Sequence, residues 1–169
     1  MTVTSLSGRA TSLGRGDLRE VLMGAQDNLT NVLAIVLGVS IGSGDVRLVA
    51  MAGLAAGLAE AISMGGVLYS ATRAEHRLAG TTGRPVRAAV VCFTAALIAG
   101  LIPLVPFLSL PIELAMVASL STSLTAIFAL GAWTGVLTRS SWWREGVRLV
   151  LIAGLAAVAS AGVGLLLGA

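Results

Sequence analysis

Five stretches of this chain, residues 21–43, 46–71, 86–108, 112–137 and 146–168, are dominated by aliphatic side chains and carry very little charge. Each runs for roughly twenty residues or more, enough to cross a hydrocarbon core of about 30 Å at about 1.5 Å per helical residue. None alternates polar and apolar positions as a barrel strand must. Helices then satisfy every backbone group in lipid. The pattern predicts an all-α, polytopic membrane protein with five transmembrane helices. Residues 1–20, rich in Ser, Thr, Gly and Arg, read as a flexible cytoplasmic tail, and residues 21–169 as one five-helix domain. The first apolar stretch is too long and too polar at its start for a secretory signal.

Composition agrees. The chain has 169 residues, 56% of them hydrophobic and 11% charged, against about a quarter charged in a soluble domain. Three Trp, one Tyr and three Phe supply no stacking platform for nucleic acid. One Cys excludes a disulfide framework or a Cys-based zinc site. With one His and no HExxH motif, an intramembrane hydrolase is disfavoured, and the chain does not read as an enzyme.

All eleven basic residues are Arg, and ten of them fall on one side of the predicted spans. Arg9, Arg15 and Arg19 precede the first span. Arg73, Arg77, Arg84 and Arg87 surround the second connection, and Arg139, Arg144 and Arg148 the fourth. Arg47 alone lies opposite. The positive-inside rule turns this bias into a cytoplasmic N-terminus and an outside C-terminus. The expected location is the cell (inner or plasma) membrane, or an intracellular storage membrane in a eukaryotic source.

The first span carries Gln26-Asp27-Asn28-Leu29-Thr30-Asn31, and an Asp at a helix centre costs at least ~2.5 kcal/mol to insert. Met23, Asp27 and Asn31 share one face at four-residue spacing. On the second span Glu60 and Met64 stack likewise. The tight turn at Gly44-Asp45 makes the two helices antiparallel neighbours. Counted from that turn, Asp27 lies about 17.5 residues before, Glu60 about 15.5 after and Met64 about 19.5 after. At about 1.5 Å per residue all three fall within ~3 Å of one depth. Two carboxylates, a thioether and the Asn31 amide oxygen form a donor set suited to a divalent metal of intermediate softness. Gly53, Gly57, Ala61 and Gly65 place a small residue at every fourth position, a pattern that allows close helix contact, including contact between subunits.

Other polar and special residues have local roles. Pro103 and Pro106 should bend the third helix. Trp142 and Trp143 are expected as interfacial anchors, and Glu145 as the partner of Arg148. Glu113 suits the start of the fourth helix, and His76 should be solvated in the second connection.

These residues resemble the vacuolar iron transporter (VIT) family. Gly24-Ala25-Gln26-Asp27 is similar to the family's Gly-x-x-Asp-Gly motif, with Asn28 in place of the final Gly. Ala61-Ile62-Ser63-Met64-Gly65 resembles its second-helix motif, and Gly100-Leu101-Ile102-Pro103-Leu104-Val105-Pro106-Phe107 its third helix. Gly131, Arg148 and Gly154 fit the last two helices. The resemblance implies a five-helix homodimer that exchanges cytosolic Fe²⁺, sometimes Mn²⁺, for protons, with Asp27 and Met64 on the metal path. The second connection lacks the cytoplasmic helical insert that holds extra ligands in some members, so this is a short form.

The expected function is export of Fe²⁺ and/or Mn²⁺ by metal/proton antiport, with a metal set of Asp27, Met64, Glu60 and Asn31. The metal is substrate, H⁺ the coupling ion, and no fixed cofactor is expected. The partners are the bilayer and a second copy through helices 1 and 2, with no nucleic acid. The alternative is a non-transporting membrane subunit whose polar helix face binds a partner helix. Orientation is directly testable: a reporter active only in the cytoplasm, fused after Ala169, should be silent, and strong signal would reverse the assigned topology.

Overall fold

The computed structural model describes residues 15–168 of the chain. It contains five α-helices: α1 (Arg15–Ser43), α2 (Val46–Ala79), α3 (Pro85–Leu101), α4 (Ile112–Leu137) and α5 (Trp142–Leu167). A 3₁₀ segment, Ile102–Leu108, follows α3 directly. All five spans are long and apolar enough to cross a membrane, the third only by joining α3 to the 3₁₀ segment. The chain is an all-α, multi-pass membrane protein.

Two boundaries move from those expected. Helix α1 begins at Arg15, so the last residues of the expected tail are helical, while residues 1–14 lie outside the described residues. Helix α2 continues through Arg73, His76 and Arg77 to Ala79, leaving only residues 80–84 as the connection to α3. Hydropathy detects the membrane-crossing part of a helix and is blind to its polar continuation. His76 and Arg77 in the last turn suit the negative end of the helix dipole. Gly80 then takes a left-handed φ of 64° and closes the helix.

Helix α1 is the hub, packing against all four other helices. Its Leu29, Val32, Leu33 and Val36 are fully buried. Leu29 and Leu33 join Ile127, Leu149 and Ala153 in one cluster. Val32 and Val36 join Val49, Leu104 and Phe107 in another. Small residues bring the backbones together. A Cβ on Gly38 would overlap Ser160, and one on Gly164 would overlap the Gly38 carbonyl, so α1 and α5 touch nearly backbone to backbone. Between α4 and α5, a Cβ on Gly131 would lie 2.7 Å from the Glu145 carbonyl oxygen.

The ladder on α2 is also consumed inside the chain. Gly53, Gly57, Ala61 and Gly65 are all buried. Gly53 faces Leu104 and Val36, Gly57 faces Val32, and Gly65 faces Phe93 and the Ala89 carbonyl. The expectation that this ladder could form a subunit contact is corrected: its close approaches are to α1, α3 and the 3₁₀ segment of the same chain.

The proline pair changes the helix type. Pro103 and Pro106 cannot donate backbone hydrogen bonds, and the chain tightens from α to 3₁₀ at Ile102. With no N–H on Pro106 to complete the i+3 bond, the Pro103 carbonyl accepts from the buried Ser119 hydroxyl of α4 at 2.8 Å. Glu113 stands in the first turn of α4, as expected. Glu145 pairs with Arg148 at 2.9 Å, while Trp142 and Trp143 open α5 and pack edge-to-face on Phe128.

Because the α1–α5 contact leaves no room for a side chain, Gly38→Leu should destabilise the bundle by about 1–3 kcal/mol or more through overpacking. Gly154, with open space around it, serves as the control. A lowered melting temperature for Gly38→Leu and an unchanged one for Gly154→Leu is the expected result in detergent or nanodiscs.

Candidate metal site on helices 1 and 2

The α1–α2 turn closes tightly. Gly44 takes a φ of 63°, and the Asp45 carboxylate caps α2 by accepting from the Arg47 N–H at 2.7 Å. From this fixed origin the two helices run back antiparallel, so residues equally far from the turn reach one level. The structure brings Glu60 together with both Asp27 and Asn31: its carboxyl lies within side-chain hydrogen-bonding reach of each. Depth reasoning alone left the rotation of the two helices open. The packing of Gly57 and Gly53 against α1 sets it.

Met64 sits one turn from Glu60, on the same side of α2, and is half-buried. Asp27 and Asn31 are exposed, and Glu60 is half-buried. The polar group therefore lies on the outer surface of this bundle, not in its core. Along α1 the exposed described residues are Arg19, Met23, Asp27 and Asn31, four apart, and then only Ser43 at the far end. This stripe begins at the Arg-rich end and stops near the middle of the helix.

Two bare carboxylates near each other repel, so a cation between them is favourable. Added to the Asn31 amide oxygen and the Met64 sulfur, they offer a mixed oxygen and thioether set. Among the described residues no three of His, Cys, Asp and Glu are grouped to hold a metal. Within one chain the acidic contribution is this pair alone.

Sequence reasoning passed over two further features. Asn28 was visible only as a departure from a motif, yet it is fully buried and joins three helices. Its Nδ2 donates to the Gly57 carbonyl of α2 at 2.9 Å and to the Ala96 carbonyl of α3 at 2.8 Å. Its place on the wheel with buried Val32 was the available signal. At the Arg-rich end, Arg87 donates to Asp17 at 2.5 Å, beside a cavity of about 350 Å³ lined by Asp17, Glu20, Thr72, His76, Arg84 and Arg87. His76 is not fully solvated, for its Nδ1 bonds the Thr81 hydroxyl at 2.7 Å. No local pattern links residues 17 and 87, which meet only because α1 and α3 pack together.

The sequence profile of the VIT family matches residues 18–82 and 72–165, nearly the whole described chain. This protein belongs to the VIT family. The matched segments reach all five helices and contain the Asp27 motif and the Ala61–Gly65 motif. Membership places the chain in a family of metal-ion transporters. No individually curated protein matches it.

Proposed function

We propose that this VIT-family member exports a divalent transition metal, Fe²⁺ and/or Mn²⁺, from the cytoplasm in exchange for protons, as a homodimer. The observation that carries the reading is the nearness of Glu60 to Asp27 and Asn31 on an outward-facing surface of the bundle. A carboxylate pair exposed to hydrocarbon is unfavourable by several kcal/mol on most scales (about 2.5–3.5 per group on insertion scales). A second copy placed against the α1 stripe removes that exposure and doubles the donor set around a two-fold axis. Asp27 is the principal charged ligand, Glu60 the second carboxylate, Asn31 an amide oxygen donor and Met64 the soft donor. The half-length stripe from the Arg-rich end supports access from the cytoplasmic side, given the Arg bias.

Proton coupling follows from the same pair. The shared proton leaves when M²⁺ arrives to supply the opposite charge, and a proton returning from outside displaces the ion there. The sign is fixed: export should accelerate as the outside is made more acidic than the inside.

Purified protein in proteoliposomes, supplied with radiolabelled Fe²⁺ or Mn²⁺ with and without an imposed pH gradient, tests this. The expected result is metal flux that rises with the inward proton gradient. Flux indifferent to the gradient would leave a uniporter or channel, and no flux at all would favour the alternative of a non-transporting subunit binding a partner helix.

Individual ligands should separate in the same assay. Asp27→Ala should abolish metal and proton movement together, at least about 100-fold. Met64→Ala should reduce transport about tenfold. Met64→Leu keeps the volume and removes the sulfur, so wild-type activity for both metals in that variant would make Met64 a packing residue.

A further inference from the structure

Asn28 follows Asp27 directly but lies about 100° round the helix from it, so that one residue faces outward and the next faces the bundle core. It is fully buried among α1, α2 and α3. Both partners of its Nδ2 are carbonyl oxygens, the Gly57 oxygen at 2.9 Å and the Ala96 oxygen at 2.8 Å. Only an NH₂ can serve two acceptors at once, so the amide orientation follows from the contacts themselves.

The cradle around this amide is built by absent side chains. A Cβ on Gly100 would stand 2.7 Å from Asn28 Nδ2 and 3.0 Å from its Cγ. A Cβ on Gly57 would stand 3.8 Å from Asn28 Oδ1. Gly100 on α3 thus leaves the volume that the amide fills, while at Gly57 on α2 a Cβ would press on Val32, at 3.2 Å, and only touch the amide. Gly57 lies three residues, about one turn, before Glu60. The clamp and the carboxyl contact therefore join the same two helices about one turn apart.

A slip of one residue along the helix axis is about 1.5 Å, enough to carry a side chain from hydrogen-bonding distance to none. A rotation of α1 would swing Asp27 away from Glu60 at the same time. Two bonds from one rigid amide, to two different helices, oppose both motions. Without them, α1 would be held here by packing alone, Val32 on Gly57 and Gly24 on Cys92, which lacks the directionality of a hydrogen bond.

We infer that Asn28 is a positioning residue for the metal site: its amide locks α1 against α2 and α3 in the one register that brings Asp27 to Glu60. The metal part of this inference rests on the proposed transport function, whereas the register part does not.

The test separates the two. Spin labels at Arg19→Cys and Leu48→Cys, both exposed and at opposite ends of α1 and α2, report axial slip directly. Fully buried Cys92 should remain unlabelled. Membranes diluted with unlabelled protein keep the distance within one chain. Asn28→Asp preserves the shape and replaces the donor by an acceptor facing two carbonyls. Gly100→Ala is the milder second variant, pressing a methyl onto the amide from α3. Ser119→Ala is the control, removing an equally buried hydrogen bond that joins α4 to the 3₁₀ segment and does not hold α1 to α2 or α3.

Asn28→Asp and Gly100→Ala should shift or broaden the label distance and raise the KM for Fe²⁺ or Mn²⁺ at least fivefold in the folded, reconstituted protein. Ser119→Ala should lower the melting temperature while leaving the distance unchanged and KM within twofold. An unchanged label distance in both Asn28→Asp and Gly100→Ala overturns the inference. So does an unchanged KM despite a changed distance, or a KM shift in Ser119→Ala as large as theirs. The distance arm needs no metal, so absent flux in the unsubstituted protein would count against the transport reading while the register is still decided.

Discussion

Lipid gives these helices no hydrophobic reason to associate, because a neighbouring chain is no more apolar than a lipid tail. Association must come from close approach and from polar groups that have nowhere else to go. Helix α1 supplies both. Gly24, Gly38 and Gly42 let α3 and α5 reach its backbone, and Asn28 gives it two directional bonds. The remaining helices are arranged round it, and it is the most buried of the five spans. A surface with that much intramolecular contact has little left over, which makes its uncovered side informative.

The membrane part of this architecture was legible in the sequence because hydrocarbon thickness limits the answer so tightly. The fourth span, residues 112–137, coincides with α4, Ile112–Leu137, at both ends. The missed boundaries share one cause, which is that hydropathy reports what a helix crosses and not where it ends. Arg73, Glu75, His76 and Arg77 look like loop by composition and extend α2 instead. The small-residue ladder was legible as a contact surface but not as whose. Gly53, Gly57 and Gly65 meet Leu104, Val32 and Phe93 of their own chain, and period alone carries no information about the partner.

The candidate site was readable to the same depth and no further. Counting from the Gly44 turn put Asp27 and Glu60 at one level, and the structure places Glu60 near both Asp27 and Asn31. What counting could not supply was rotation. That comes from the bulk of Val32 against the absence of bulk at Gly57, together with the Asn28 bond to the Gly57 carbonyl. The residue that looked like a blemish in a motif holds the helices in the arrangement the motif needs. An Asn in place of a Gly adds volume, and Gly100 on the facing α3 leaves the space for it.

The exposed edge of α1 brings these constraints together. Arg19, Met23, Asp27 and Asn31 recur every four residues, while the next two positions of the series, Ile35 and Val39, are partly covered and apolar. A helix sitting in uniform lipid would have no reason to be polar along half its edge and apolar along the other half. On the proposed transport reading, a track that starts at the Arg-rich end and reaches Asp27 and Asn31 would admit an ion from one side to a site near mid-depth. An ion held there would have a hydrophobic half-membrane ahead of it. Passage onward would then need a rearrangement that uncovers the far half, where α1 and α5 approach most closely, at Gly38, Gly42, Gly164 and Gly168.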